Sequence, residues 1–235
     1  MNAPAVAQPV PPAIKLIAPI WHTVLFLIAL GSLTAWSAYR HGLPQFGEPR
    51  RSTSYLVTIV MEWLLAGLAI WGARLGGVSL QELIGERWSR PTQLFRDLGI
   101  GIVFLIGSNV VIAALSGVLH VGSNADLTRM LPHSRQEGML WILVSLSAGI
   151  CEEITTRGYL QKQFGGLMQN SSAAIFAQGI LFGLAHTYQG YKHMITIAVL
   201  GCMLGWLARR QQSLKPGMLA HFMQDAIGGF LSGSH

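Results

Sequence analysis

The segment MLWILVSLSAGICEEITTRGYL, residues 139–160, places three charged side chains at the end of an apolar run. Glu152 and Glu153 are adjacent, and Arg157 follows Glu153 by one helical turn. Charged residues make up only 11% of the 235-residue chain, so this cluster is unusual for the molecule. An ionisable side chain in the centre of a bilayer costs about 2.5–3.5 kcal/mol, which makes such a group a sign of function. The segment therefore predicts a membrane-spanning helix that carries a functional site.

The composition of the whole chain favours a polytopic helical membrane protein. Hydrophobic residues make up 51% of it and the mean hydropathy is +0.44, whereas a soluble domain carries about a quarter charged residues. The net charge of +6 raises the question of nucleic-acid binding. The basic residues, however, lie singly or in pairs between apolar runs, as expected for residues that flank membrane spans. We therefore expect an all-α membrane protein that does not bind nucleic acid.

Seven apolar runs predict about seven transmembrane helices, and they lie at about 19–39, 55–73, 98–119, 139–160, 172–187, 193–208 and 216–231. A run of 19 residues rises about 28 Å as a helix, close to the thickness of the hydrocarbon core. The last four runs are shorter or more polar, so we expect them to pack around a polar interior. Residues 1–17 are rich in Pro and Ala and predict a disordered tail, which leaves 18–235 as a single membrane domain.

Basic residues suggest how the chain is oriented. Residues 74–97 carry four arginines, with Trp88 and Phe95 as possible interfacial anchors, and they predict an amphipathic helix on the cytoplasmic face. With the N-terminus inside, ten of the 16 basic residues fall in inner segments and six in outer segments. We therefore expect an integral membrane protein with its N-terminus in the cytoplasm.

Two glycine pairs at four-residue spacing, Gly179 with Gly183 and Gly201 with Gly205, lie in neighbouring apolar runs. Small residues at this spacing let helix backbones approach closely in a membrane. They predict tight packing among the C-terminal helices.

Polar groups recur on three different C-terminal helices: EEITTR at 152–157, FGLAH at 182–186 and HFMQD at 221–225. Polar groups scattered through lipid would each carry the full cost of burial. Groups that converge on one hydrated cavity share that cost. The three segments therefore predict one polar site among the last four helices.

The spacing within these segments suggests how the site is organised. Glu153 and Arg157 are four residues apart with Glu first, the better order for a helical ion pair. Glu152 is turned by about 100° from Glu153 on a helix and stays available for chemistry. His221 and Asp225 are also four residues apart, so that the carboxylate could fix the imidazole tautomer. Phe182 and His186 share a face in the same way, with the ring beside the imidazole.

Two chemistries fit these residue types, and both predict hydrolysis by water. Glu152, His186 and His221 could bind a divalent metal such as zinc and leave one position for water. Alternatively, Glu152 and His186 activate water directly, while His221 and Asp225 stabilise the oxyanion. The chain contains no His-Glu-x-x-His motif of the common zinc proteases.

The three motifs, in this order, resemble the CPBP family of CAAX-protease and bacteriocin-processing membrane proteases, also called the ABI family. That family's pattern is Glu-Glu-x-x-x-Arg, Phe-x-x-x-His, and His-x-x-x-Asn or Asp. The resemblance covers about residues 139–231. It implies an intramembrane endopeptidase, with or without a metal, that cleaves a peptide or a membrane-tethered protein.

Carried over by position, the resemblance implies roles for six residues: Glu152, Glu153, Arg157, His186, His221 and Asp225. The first glutamate and the first histidine would activate water, the second glutamate and the arginine would organise the site, and the last pair would complete it. Many members carry Asn where this chain has Asp225, and an ionised Asp can only accept hydrogen bonds.

Two other functions stay open at this point: a non-catalytic immunity or scaffold protein that keeps the fold, and a small proton-coupled transporter. The role of Glu62, in the middle of the second run, is open as well. The run boundaries also raise a problem of depth. His186 would lie about 21 Å along a helix that starts near residue 172 inside, which is farther outward than Glu152.

Overall fold

The computed structural model describes residues 13–41, 51–122 and 125–232, which form helices and contain no strand. Within these ranges nine helices follow one another: α1 Ile20–His41, α2 Arg51–Leu75, α3 Leu80–Ile84, α4 Pro91–Leu119, α5 Ala125–Met130, α6 Arg135–Met168, α7 Ser171–Ala185, α8 Tyr191–Gln211 and α9 Lys215–Ser232. A single 3₁₀ turn, Thr187–Gln189, lies between α7 and α8. The all-α membrane fold predicted from the sequence is confirmed, and the short helix α5 was not predicted.

Five helices in the described part of the chain, α1, α2, α4, α6 and α8, are long and apolar enough to cross a membrane. The shorter helix α7 is apolar but has only 15 residues. The predicted count of seven transmembrane helices is therefore not confirmed. Among the five, α6 is the most enclosed. In its apolar 18-residue segment 50% of the residues are buried, compared with 11% in that of α4. The helix that carries Glu152 and Glu153 is thus the central helix of the fold.

The end of α6 lies eight residues beyond the end predicted from the apolar run, at Met168 instead of residue 160. A two-residue turn then leads into α7, and the side chain of Asn170 caps that helix. Its Oδ1 accepts hydrogen bonds from the backbone N–H groups of Ser172 at 2.9 Å and Ala173 at 3.0 Å. Helices α6 and α7 therefore form a tight hairpin.

This hairpin brings Glu152 and His186 to the same depth. Glu152 is 16 residues before the end of α6, or about 24 Å, and His186 is 15 residues beyond the start of α7, or about 22 Å. The depth mismatch expected from the sequence came from ending α6 too early.

Residues 74–97 do not form the single amphipathic helix that the sequence predicted, and that prediction is wrong. Only α3 is helical between Leu75 and Pro91. It starts with a capping box between Ser79 and Glu82 and ends at Gly85, whose φ of 114° favours glycine. The hydrogen bonds from Ser79 hold the pKa of Glu82 below its usual range.

Close packing of α7 on α8 depends on the glycines, as predicted. A Cβ at Gly183 would lie 2.5 Å from the carbonyl oxygen of Met194, and one at Gly179 would overlap the sulfur of Cys202. A Cβ at Gly201 would lie 3.1 Å from the Cα of Gly179. Larger side chains at these positions would push the two helices apart.

Residues 1–12 of the predicted disordered tail lie outside the described residues, but residues 13–17 are held against α6. The backbone N–H of Ile14 donates to Oε1 of Gln169 at 2.8 Å. The Gln169 amide donates back to the carbonyl oxygen of Ile14 at 2.8 Å. The segment that enters α1 is therefore tied to the C-terminal end of α6.

A buried glutamine makes the stronger part of this connection. Gln163 is 0% exposed, and its Oε1 accepts from the backbone N–H groups of Ile17 at 2.9 Å and Ala18 at 3.0 Å. Its Nε2 donates to the carbonyl oxygen of Ala18 at 2.9 Å and to Oγ1 of Thr23 at 2.8 Å. The three backbone groups would lose this partner if the side chain were removed, whereas Oγ1 of Thr23 would keep its contact with the hydroxyl of Tyr159.

We expect Gln163→Ala to lower the free energy of unfolding by about 2–4 kcal/mol, because it leaves buried backbone groups unpaired. Gln169→Ala, which removes exposed hydrogen bonds in the same segment, should cost less than about 1 kcal/mol. Unfolding of both variants in mixed detergent micelles measures the difference. Equal losses in the two variants would show that Gln163 is not the main connection.

Candidate active site

The predicted ion pair between Glu153 and Arg157 is present and completely buried. Nη1 of Arg157 donates to Oε1 of Glu153 at 2.9 Å, and both side chains are 0% exposed. The same nitrogen donates to Oγ1 of Thr156 at 2.8 Å, and Nη2 donates to the carbonyl oxygen of Gly201 at 3.1 Å. The guanidinium therefore links α6 to α8 at Gly201, one of the glycines at which α8 packs closely on α7.

A π-helical stretch, Ile154–Leu160, begins directly after the two glutamates, and all seven of its residues are buried. The hydroxyls of Thr155, at 3.0 Å, and Thr156 both donate to the carbonyl oxygen of Glu152. Short π-helical segments are rare and often occur at functional sites. The sequence analysis did not predict this stretch. The paired threonines, whose hydroxyls can bond a carbonyl one turn back, were the available signal.

His221 approaches the two glutamates from α9. Its Nδ1 lies 3.1 Å from Oε1 of Glu153, and because an ionised carboxylate only accepts, this nitrogen is the donor. Its Nε2 lies 3.7 Å from Oε2 of Glu152 and 3.6 Å from Oδ2 of Asp225. The sequence predicted that Asp225 orients the imidazole. The hydrogen bond is instead made by Glu153, so one carboxylate holds both Arg157 and His221.

Phe182 on α7 lies at the centre of this cluster. Its ring centroid is 4.9 Å from that of His186 and 5.9 Å from that of His221. The Cζ of Arg157 lies 4.3 Å from the same centroid, within the range of a cation–π contact. The sequence predicted the contact with His186 only. The additional contacts make Phe182 the apolar support of both histidines and of the arginine.

His186 ends α7, and its backbone conformation departs from the helix. Its Nδ1 lies 2.8 Å from the carbonyl oxygen of Phe182. A carbonyl only accepts, so Nδ1 donates and the neutral ring keeps its lone pair on Nε2. The ring thus offers a base that is held in one tautomer.

A cavity of about 280 Å³ lies between α1, α2, α6 and α7, and Glu152 and His186 both line it. Glu62 of α2 and Tyr188 of the 3₁₀ turn line the same cavity, which answers where Glu62 faces. His221 reaches Glu152 from the side of α9. A larger cavity of about 880 Å³ between α4, α7 and α8 is mostly apolar and contains none of the six predicted site residues.

The part of the chain that carries this site is similar to a known protein family. Residues 134–227 match the model of the Rce1-like family, described as type II CAAX prenyl endopeptidase Rce1-like. This segment is similar to that family, and we call it the Rce1-like domain. The match confirms the CAAX-protease resemblance, and its bounds contain all six predicted site residues. The Rce1-like domain makes up about two fifths of the chain. Comparisons with curated proteins and with solved structures gave no match.

The predicted metal ligands Glu152, His186 and His221 lie on α6, at the end of α7 and on α9. In the described ranges, no group of three or more His, Cys, Asp or Glu side chains is positioned to hold a metal ion. Nδ1 of His186 and Nδ1 of His221 both donate hydrogen bonds within the protein, so Nε2 is the nitrogen through which each ring would bind a metal. Binding of a divalent metal such as zinc by Glu152, His186 and His221 stays a prediction, which metal analysis of the purified protein would test.

Proposed function

We propose that this protein is an intramembrane endopeptidase that hydrolyses a peptide bond with water activated by Glu152 and His186. One observation carries the proposal: both side chains line a single cavity, where Glu152 also lies next to the buried cluster of Glu153, Arg157 and His221. The match to a family of CAAX prenyl endopeptidases supports the same reaction class.

Water attack is the first step. A water molecule in the cavity gives a proton to the carboxylate of Glu152, while the lone pair on Nε2 of His186 accepts its second hydrogen as a hydrogen bond. The oxygen then attacks the carbonyl carbon of the peptide bond. The product of this step is a tetrahedral oxyanion.

His221 is the best candidate to stabilise that oxyanion. Its Nδ1–H is committed to Glu153, which leaves Nε2 facing Glu152 and Asp225. Protonated at both nitrogens, the ring would donate from Nε2 to the oxyanion. Asp225 would then support the imidazolium charge and would not donate itself, since an ionised carboxylate only accepts.

Collapse of the intermediate completes the reaction. The proton held by Glu152 passes to the leaving nitrogen, the C–N bond breaks, and a carboxylic acid and an amine are released. Glu153, Arg157 and Phe182 take no part in proton transfer. They keep His221 and His186 in place through the contacts described above.

The substrate would be a peptide or a membrane-tethered protein. Apart from its polar groups, the cavity wall consists mainly of apolar side chains from α1 and α2, including Leu30, Leu33 and Val57. A lipid-soluble or lipid-anchored segment suits such a wall. A location in the bacterial plasma membrane with a cytoplasmic N-terminus stays part of this proposal.

The test is cleavage of a membrane-tethered peptide by the purified protein in liposomes, with products identified by mass spectrometry. In H₂¹⁸O, hydrolysis should place one ¹⁸O in the new carboxyl group. His186→Ala should lower the cleavage rate by about 100-fold or more. That is the lower end of the rate loss that follows removal of a group assisting proton transfer. His193→Ala, a histidine on α8 that does not line this cavity, is the control. A His186→Ala enzyme with the wild-type rate would remove this residue from the mechanism.

A further inference from the structure

Glu62 lies in the middle of α2, a helix outside the Rce1-like domain. It nevertheless lines the same cavity as Glu152 and His186. The cavity therefore has a second acidic side chain, on α2, which the mechanism described above does not use.

One oxygen of this carboxylate is without a partner. Oε2 of Glu62 is buried and makes no hydrogen bond within the described part of the protein. A buried polar atom left unpaired costs about 1–3 kcal/mol, and each such atom in a native protein needs an explanation. A leucine would line the same wall without this cost. The free oxygen points to a donor that arrives from outside the chain.

A peptide substrate brings such donors into the cavity. Inside a membrane, backbone N–H groups find little water and need acceptors from the protein. Glu152 is assigned to water, and Oγ1 of Thr156 already accepts from Arg157. The hydroxyl of Thr155 can accept as well, but a carboxylate such as Glu62 on α2 is the stronger acceptor. Its unpaired oxygen and the unpaired N–H groups of a bound peptide satisfy each other.

We propose that Glu62 binds the substrate by accepting a hydrogen bond from a backbone N–H next to the scissile bond. The inference rests on the proposed endopeptidase function. It assigns a substrate-binding role to α2, next to the helix that carries Glu152.

The test compares Glu62→Leu with Glu62→Gln in the liposome assay. Glu62→Leu should raise KM by about tenfold while kcat changes less than about threefold, because a binding contact is lost and not a proton-transfer group. Glu62→Gln keeps an accepting oxygen and should change KM by less than about threefold. Leu64→Ala, on the exposed side of the same helix, controls for damage to α2. An unchanged KM in Glu62→Leu, or a loss confined to kcat, would overturn the proposal.

Substrates N-methylated at single positions next to the scissile bond give a second readout that needs only the wild-type enzyme. One methylated position should raise the wild-type KM about tenfold, and that methylation should have no further effect on Glu62→Leu. Additive effects of methylation and substitution would contradict the inference.

Glu152→Ala separates the two proposals. If the wild type does not cleave, the proposed endopeptidase function fails, and if Glu152→Ala cleaves normally, its water-activation step fails. An inactive Glu152→Ala beside a Glu62→Leu enzyme of normal KM rejects the role of Glu62 alone.

Discussion

Glu152→Ala is expected to lower kcat/KM for peptide cleavage by about 10³-fold or more, the scale of loss for a general base. The carboxylate is the group that takes the proton from water and later returns it to the leaving amine. The variant should still fold, since Glu152 is not part of the buried ion pair between Glu153 and Arg157. The initial rate of product formation in liposomes, beside thermal unfolding of the same preparation, measures both parts of this expectation.

The neighbouring cysteine provides a matched control for Glu152→Ala. Cys151 is buried and lines the same cavity, but adjacent negative charge disfavours the thiolate that a cysteine nucleophile needs. Cys151→Ala should keep cleavage within about threefold of the wild-type rate, because the thiol has no step in water attack. Full activity of Glu152→Ala together with an inactive Cys151→Ala would replace the water mechanism by a thiol mechanism.

Arg157→Met is expected to be the most destabilising single change, at about 3–5 kcal/mol, because it leaves the buried Glu153 carboxylate without its counter-charge. Both partners are 0% exposed, so water cannot compensate for the loss. The Glu153 carboxylate would still contact His221, and the ring of Phe182 would lose its cation–π contact with the guanidinium. Unfolding in mixed detergent micelles measures the change.

A double-mutant cycle shows whether the cost arises from an unpaired charge. Glu153→Gln with Arg157→Met removes both charges, so the double variant should be at least about 1 kcal/mol more stable than the sum of the single changes predicts. Simple additivity would mean that the two side chains stabilise the fold independently. Activity should stay low in the double variant, since His221 loses its carboxylate partner.

Short spacings along the chain predicted the parts of the site that depend on one helix. The Glu153–Arg157 pair and the Phe182–His186 contact both follow from four-residue spacing, and both are present. The partner of His221 could not be predicted in this way. It depends on how α9 packs against α6, and that packing brings His221 closer to Glu153 than to the sequence-local Asp225.

The end of α6 escaped prediction for a related reason. Residues 161–168 carry glutamines and glycines that are typical of a loop in a membrane protein. Gln163 is nevertheless buried in a helix, because its amide is satisfied by backbone groups about 145 residues away in the sequence. A local pattern cannot show that a polar side chain has a distant partner. The prediction of one amphipathic helix at 74–97 was wrong for the opposite reason, because the relevant signals are local. Gly85 ends α3, and Pro91 starts α4.

The hairpin of α6 and α7 has a consequence for how such chains can vary in length. Glu152 and His186 face each other only because the two arms that join them to the Asn170 turn are nearly equal. Insertion of one helical turn into a single arm would shift its side chain by about 5 Å relative to the other and separate them. A homologous chain that lengthens one arm must lengthen the other by the same amount.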